Sequence, residues 1–393
     1  MSAFTQTYPM SEGAGLRVLQ REGQVLITGV PGSREVKLTA SSLTRPDLQE
    51  YIQVTQDAGG LTLEVKPRGL AWAFGGGRAV KLELEVPVGT ACQVESGSGP
   101  VEVSSTAAAV RIETGSGAVK VLNVGPAELE TGSGPVHGHN INGSVSAETG
   151  SGGMDFANVN GTLTLETGSG PLTVRQVRGT VRLETGSGPL LVEDVHGSVD
   201  LETGSGNVRV CRVQGPSLSL DNGGGSVQIK EINVAELEVE TGSGGVEVAL
   251  GHLHPGGAYG VSTGSGTVTV ALPPTADVTV FAEAPSGQIS RTGLNFRVVH
   301  EERGELEAVL NGGQAQLRLE AGSGAIQLVP YVGPVQAPPL SLAGAKVVEA
   351  VKGDTALETS DQLRRIVLMV EEGKLTPQEA EELLRALDEE EPA

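Results

Sequence analysis

Short pairs of apolar residues, each pair separated by a single polar residue, recur along most of this chain. Alternation with a period of two is typical of a strand that buries one face. A helix would need a period of 3.6, and the glycines between the pairs would weaken it. The pattern therefore predicts very short β-strands. In the segment 168–185, GSGPLTVRQVRGTVRLET, the apolar residues are Leu172, Val174, Val177, Val181 and Leu183.

A five-residue word, ETGSG, follows these strands and repeats at a nearly fixed distance. The first glycine of the word, or of a near-copy such as ESGSG or DNGGG, recurs at steps of 18, 17, 18, 18, 18, 18, 19, 19 and 22 residues. A short period kept over such a length indicates a repeat architecture. These glycines are Gly97, Gly115, Gly132, Gly150, Gly168, Gly186, Gly204, Gly223, Gly242 and Gly264.

Strands this short can bury a face if each repeat is one coil of a solenoid that stacks on the next. Like residues then stack about 4.8 Å apart. The alternation directs Leu183 inward, Glu184 outward and Thr185 inward, and it puts Ser187 on the inward phase as well. The glycines of the word mark a tight corner, where positive φ or close approach of the coils is expected. We predict an all-β fold, a single-stranded β-helix or β-solenoid with coils of about 18 residues, plus a small C-terminal α-helical hairpin.

Changes in spacing and composition divide the chain further. Capping coils are expected at the ends, because an open solenoid end exposes a bare sheet edge. Proline-containing, irregular sequence separates the last coil from the tail. The predicted parts are a loose leader at 1–15, N-terminal β capping coils at 16–87, the β-solenoid at 88–330, a linker at 331–359 and the helical hairpin at 360–390.

The tail has the spacing of amphipathic helices. Apolar residues recur at i, i+3, i+4 and i+7 over 361–372, and Thr376 begins a second helix with a capping box. Two helices of about 12 residues are marginal alone in water. Their apolar stripes must therefore pack on each other and on the solenoid, a second copy or another protein, and we favour self-association. The predicted partner-binding residues are Leu363, Ile366, Val367, Val370, Leu383, Leu384 and Leu387.

Charge and cysteine content restrict the partners. The formal net charge of −21 disfavours direct binding of nucleic acid or anionic lipid. No run of 18 apolar residues exists, so no membrane insertion is predicted. The first residues lack the basic and apolar regions of a secretory signal, so we expect a cytoplasmic location, with association with the envelope as the alternative. Cys92 falls on an inward phase and Cys211 on an outward one, which predicts no disulfide.

Three features resemble a known bacterial family. The run Lys81–Thr90 (KLELEVPVGT), the repeated ETGSG words and the late segment Pro285–Ile289 (PSGQI) are similar to the β-helical putative-adhesin family, over roughly 16–330. That resemblance implies a β-helix with no agreed biochemical function or catalytic residues, and links some members to envelope stress. The segment 362–384 is similar to SHOCT-like helical hairpins, which implies oligomerisation or partner contact.

Candidate chemistry is sparse. Outward glutamates of successive coils are predicted to form one column, with Glu166, Glu184 and Glu202 as candidate ligands for a divalent cation, although solvated carboxylates are the simpler interpretation. The pairs His137/His139 and His252/His254 could each offer two imidazoles to a metal, but no third ligand recurs beside them. No nucleophile elbow or phosphate loop is present. We therefore predict neither an enzyme nor a cofactor.

These features together predict a non-enzymatic β-solenoid scaffold, adhesin-like, with a role in envelope stress or homeostasis and contacts made by the C-terminal hairpin. Two other functions stay open. A surface adhesin would require export by an unrecognised route. A carbohydrate-active β-helix would require a grooved cluster of carboxylates and stacking aromatics, and aromatic residues make up 3% of the chain.

Overall fold

The computed structural model describes residues 2–11, 13–42, 48–57, 59–66 and 79–333. These residues form an all-β solenoid around one continuous core of aliphatic side chains. None of the helices in this part of the chain has the length and hydropathy that crossing a bilayer requires. The predicted helical hairpin, and the linker beyond residue 333, lie outside the described residues.

The N-terminal region closes one end of the solenoid with strands of mixed direction. Strand β1 pairs antiparallel with β4, and β4 pairs antiparallel with β7. The predicted loose leader at 1–15 is therefore wrong. Phe4 and Tyr8, an even number of residues apart, pack partly buried on the core and hold β1 in place. The elements are β1 (Ser2–Pro9), β2 (Gly15–Glu22), β3 (Val25–Val30), β4 (Glu35–Ser42), a 3₁₀ turn (Leu48–Glu50), β5 (Ile52–Asp57), β6 (Gly60–Val65) and β7 (Lys81–Pro87).

The regular coils follow. Wall A is a parallel sheet made of the even-numbered strands β8 to β20, the second halves of β21 and β22, and β24. Wall B is the second parallel sheet, made of the odd-numbered strands β9 to β19, the first halves of β21 and β22, and then β23 and β25. The strands are β8 (Cys92–Ser98), β9 (Val101–Thr106), β10 (Val110–Thr114), β11 (Val119–Val124), β12 (Ala127–Thr131), β13 (Val136–Asn142), β14 (Val145–Thr149), β15 (Met154–Asn160), β16 (Leu163–Thr167), β17 (Leu172–Arg178), β18 (Val181–Thr185), β19 (Leu190–His196), β20 (Val199–Thr203), β21 (Val208–Gly224), β22 (Val227–Ser243), β23 (Val246–Ala249), β24 (Ala258–Ser265) and β25 (Val268–Leu272).

The pairing register confirms the inferred coil. In wall A, Leu165 pairs with Leu183, and in wall B Leu172 pairs with Leu190, so each residue lies beside the one eighteen positions later. Leu165, Leu172 and Leu183 are all buried. Inward apolar residues therefore stack on like residues through the length of the solenoid, which is how such thin coils bury enough apolar surface.

The ETGSG corner holds neighbouring coils together through threonine and glycine. A Cβ placed on Gly188 would lie 1.9 Å from the carbonyl oxygen of Gly170 in the preceding coil, so close approach is what requires glycine there. The expected positive φ occurs at this corner in the first and last coils, as at Gly244 with φ 131°. In the coils between them it occurs at the other corner, as at Gly179 with φ 146°. The predicted inward position of Ser187 is wrong, because this residue is exposed. The chain turns immediately after Thr185, so the strand alternation no longer applies.

Wall B contains a column of residues with positive φ, one above the other in successive coils. One residue of each coil adopts a left-handed conformation, although none of these residues is glycine. Asparagine tolerates this conformation best, and Asn158 donates from its amide to Asn140, 2.6 Å away, in the coil before. The column consists of Ser105, Asn123, Asn140, Asn158, Gln176, Asp194, Arg212 and Glu231.

The C-terminal region leaves the eighteen-residue period and closes the other end. In wall A, β24 is followed in space by β30, then β26, β29 and β28. The pairs β26–β29 and β29–β28 are antiparallel, so residues 297–310 contribute two strands to the wall. The strands are β26 (Val278–Glu283), β27 (Ile289–Arg291), β28 (Arg297–Glu302), β29 (Glu305–Leu310), β30 (Ala315–Ala321) and β31 (Ile326–Pro330).

Candidate functional site: a carboxylate column on wall A

One outward position of wall A carries a carboxylate in coil after coil. Glu184 pairs directly with Glu166 on one side and Glu202 on the other, at the spacing of neighbouring strands, about 4.8 Å. The predicted column is therefore present in the structure. Its first part consists of Glu95, Glu113, Glu130, Glu148, Glu166, Glu184, Glu202, Asp221 and Glu240.

The column continues beyond the regular coils, which the sequence did not reveal. Glu240 pairs with Ser262, and Ser262 pairs with Glu320. Three further carboxylates follow in the same register, in an order unrelated to their order along the chain. They are Glu283, Glu305 and Glu302. The word EAGSG at 320–324 was a signal for Glu320, whereas the strands that carry the other three have no repeat signature.

Ser262 is the one break in this column between Glu95 and Glu302. Ser262 has a short side chain and Gly260, two residues earlier, has none, so an open groove crosses the wall here. Its rims carry Glu240 on one side and Arg318 and Glu320 on the other. The groove has both signs of charge on its rims, and Phe281 is one of several apolar residues that line it.

Cations compensate the column mainly at its N-terminal end. Arg17 contacts Glu95 at 2.7 Å, and Arg111 contacts both Glu113 and Glu128. Between Glu130 and Glu240, strand pairing places carboxylate beside carboxylate, and within the described residues these column members have no ion-pair partner. Like charges directly opposite one another in a sheet repel. The middle of wall A is therefore a strip of uncompensated negative charge.

Wall B has a different outer surface. Lys120 contacts Glu102 at 2.9 Å, and Arg175 lies 3.4 Å from both Asp155 and Glu193. These partners belong to adjacent coils, so opposite charges alternate along the solenoid axis. Wall A also pairs charges between coils, as Arg182 does with Asp200 at 2.6 Å, but the column members from Glu130 to Glu240 take no part in the ion pairs of the described residues.

The three predicted cation ligands lie in the middle of that strip. Glu166 and Glu202 are exposed and Glu184 is half-buried, and each comes from a separate coil. Among the described residues, the ligand atoms of three or more His, Cys, Asp or Glu side chains converge within 4.8 Å of one another at one place, His300, Glu302 and Glu305. That group is at the far end of the same wall.

The two histidine pairs differ in exposure and in the contacts they make. His137 and His139 are exposed on wall B. The rings of His252 and His254 are 5.0 Å apart and edge to face, while Nε2 of His254 forms a 2.8 Å hydrogen bond with Oδ1 of buried Asn233. Burial, followed by the neighbouring His254, lowers the pKa of His252.

The two thiols lie apart in the coils. Cys92 is buried in the core, and burial raises its pKa to about 12, so it stays protonated at neutral pH. Cys211 is half-buried on wall B, and partial burial raises its pKa as well. Both cysteines are free, as expected.

Comparison with known families gives separate matches for the solenoid and for the tail. Residues 27–214, and again 143–329, match the family model described as Toastrack DUF4097. The chain belongs to the Toastrack DUF4097 family. The two overlapping matches span most of the Toastrack solenoid described above, from β3 to β31. Residues 361–392 match a model described as a SHOCT-like domain, within the tail for which a helical hairpin was predicted.

Solved structures similar to this Toastrack chain share little sequence with it. A putative cell adhesion protein from Clostridium sporogenes is 11% identical, with 84% of this chain and 100% of that chain covered and a TM-score of 0.19. A putative adhesin from Bacteroides fragilis is 10% identical, with 84% and 97% covered and a TM-score of 0.23. A putative lipid binding protein from Parabacteroides distasonis is 11% identical, with 83% and 96% covered and a TM-score of 0.28. Such low TM-scores support no functional transfer. No curated protein matches the sequence.

Proposed function

We propose that this Toastrack protein is a non-enzymatic assembly scaffold, in which the solenoid is a rigid body and the C-terminal segment 360–390 joins copies to one another. The carboxylate column carries the proposal. A column from Glu95 to Glu302 in one register gives the wall a repeated, uniform surface, and such extended surfaces are what solenoid proteins use for binding. The column is regular because most coils place a glutamate at the same point, with Asp221 in one coil and Ser262 in another.

The tail supports the self-association part of the proposal. Its apolar residues recur at helical spacing, and two short helices need a partner surface to be stable. The SHOCT-like match over 361–392 is consistent with a separate small module. The contact residues are those named from the sequence, Leu363, Ile366, Val367, Val370, Leu383, Leu384 and Leu387. We place the assembled protein in the cytoplasm or at the inner face of the envelope, again as part of the proposal.

The mass of the full-length protein in solution tests the proposal. By light scattering after size exclusion, the protein should exceed the 40.2 kDa of one chain. The double variant Val367→Asp/Leu384→Asp should return to that mass, because a charge in each apolar stripe cannot be buried without a partner.

The matched control is Arg365→Asp/Arg385→Asp, which adds the same two carboxylates about half a helical turn away from each stripe. It should keep the larger mass. If the wild-type protein stays monomeric at about 100 μM, its free energy of association is weaker than about −5.5 kcal/mol. That result would rule out self-association through this tail.

A further inference from the structure

The last two strands of wall A bring an imidazole and several carboxylates together on its outer face. β28 and β29 form an antiparallel pair in which His300 is opposite Glu307 and Glu302 is opposite Glu305. All these side chains except the half-buried Glu307 are exposed. Ligand atoms of His300, Glu302 and Glu305 all lie within 4.8 Å of one another.

Negative charge is concentrated at this end of the column. Glu305 has a carboxylate directly opposite it on both sides, Glu302 in β28 and Glu283 in β26. The nearby cation Arg291 is bound by both oxygens of Glu301, at 2.9 Å each. Glu301 pairs with buried Leu306 and so belongs to the opposite face of the strand. The cluster therefore has like charges facing one another, which costs stability unless a cation binds there.

The donor set differs from that of the rest of the column. Elsewhere the column offers carboxylate oxygens only, whereas here an imidazole nitrogen stands 3.7 Å from an oxygen of Glu302. Oxygen-only sites suit Ca²⁺ and Mg²⁺, and a nitrogen donor selects for Zn²⁺ and other transition metals. We propose that His300, Glu302 and Glu305 bind one Zn²⁺ ion, with the fourth position of the metal open to water or to a partner.

The geometry permits this with small side-chain movements. Zn–N and Zn–O bonds are about 2.0–2.2 Å long, so two ligand atoms of one tetrahedral zinc ion lie about 3.4 Å apart. A separation of up to 4.8 Å closes to that value by rotation of exposed side chains, which are not held by packing. His300 and Glu302 are two residues apart on one strand and Glu305 is on its neighbour. The pairing of β28 with β29 therefore positions the backbone of all three.

Calorimetric titration of the full-length protein with ZnCl₂ tests the site. We expect one strong equivalent of Zn²⁺ per chain, and no equivalent of comparable affinity for Ca²⁺. His300→Gln and Glu305→Gln should each weaken the strong equivalent at least tenfold. Both positions are exposed, so without metal the variants should keep the wild-type circular dichroism spectrum and melt no lower than the wild-type protein.

Two controls separate this site from general attraction by the acidic wall. Glu184→Gln removes one carboxylate from the middle of the column and should leave Zn²⁺ binding unchanged. His137→Gln removes an exposed histidine from wall B and should also have no effect. The proposal is overturned if Zn²⁺ binding survives His300→Gln, or if Glu184→Gln weakens it as much as Glu305→Gln does.

Discussion

The hydroxyl of Thr185 connects its own coil to the carbonyl of Gly170 in the coil before. Thr185 Oγ1 donates to the oxygen of Gly170 at 3.3 Å and accepts from the N–H of Gly188 at 3.1 Å. The same pair of bonds recurs in successive coils, so a hydrogen-bonded chain runs through the buried corner of the solenoid. It consists of Thr131, Thr149, Thr167 and Thr185 with the glycines of their words.

Removing that hydroxyl should destabilise the solenoid. Thr185→Val keeps the shape of the side chain but leaves a buried N–H and a buried C=O without partners, and we expect a loss of about 2 kcal/mol in unfolding free energy. Thr185→Ser keeps the hydroxyl and should lose less than half as much. Urea denaturation followed by circular dichroism measures both. Equal losses for the two variants would show that the hydroxyl has no special role.

The glycine that faces this threonine should tolerate no side chain. Gly188→Ala would place Cβ 1.9 Å from the backbone oxygen of Gly170, so two coils would have to move apart. We expect a loss of at least about 3 kcal/mol, in the range of severe packing mutations. Gly89→Ala is the matched control, because a Cβ there meets nothing within 4 Å. A mild effect at Gly188 would mean that the coils are less tightly stacked than described.

Neutralising one member of the carboxylate column should stabilise the protein at low salt. Glu184 lies directly between Glu166 and Glu202, so Glu184→Gln removes two repulsive contacts. We expect a higher melting temperature at about 10 mM salt and no difference at about 1 M, where the screening length is only about 3 Å.

The control for that experiment is a carboxylate with partners. Glu247 accepts a 2.8 Å hydrogen bond from Gln228 and lies 3.2 Å from Lys230, and these contacts lower its pKa. Glu247→Gln should therefore leave the melting temperature unchanged or lower it at low salt. If both substitutions shift the melting temperature in the same direction, net charge and not the column is responsible.

The ion pair of Arg212 and Asp194 should give a small, pH-dependent contribution. A hydrogen bond from Arg212 lowers the pKa of Asp194. A carboxyl whose pKa is lowered on folding stabilises the protein above its unfolded pKa, about 3.9, and loses that contribution as the pH falls through the lower folded value. Both side chains are more than a third exposed, so we expect less than about 1 kcal/mol at pH 7.

Arg212→Gln measures this contribution by urea denaturation between pH 7 and pH 2. The difference from wild type should shrink on the acid side. Arg209→Gln is the control, since Arg209 has no ion-pair partner in the part of the chain that is described. A difference that stays constant down to pH 2 would assign the effect to packing of the arginine stem.

The repeat period was sufficient to predict the regular coils. Alternation directs Leu183 inward and Glu184 outward, and an eighteen-residue step puts Glu184 beside Glu166, so the core and the column both follow from local spacing. The alternation failed at Ser187 because the strand ends at Thr185. It also gave no sign that Gln176 and Arg212 adopt a left-handed conformation, since residues with such long side chains usually avoid it.

The sequence by itself determined the coil: its length, its inward and outward residues, and the glycine corner where coils touch. Only the tertiary structure decided the ends. Glu320 pairs with Ser262, and Glu283 then pairs with Glu320, through contacts between residues far apart in the chain. These pairings depend on which sheet edge is available, and local spacing carries no information about that. His300 and Glu305 meet in a local hairpin, β28–β29, but its position at the end of wall A depends on the same long-range pairing, through β26 and β30.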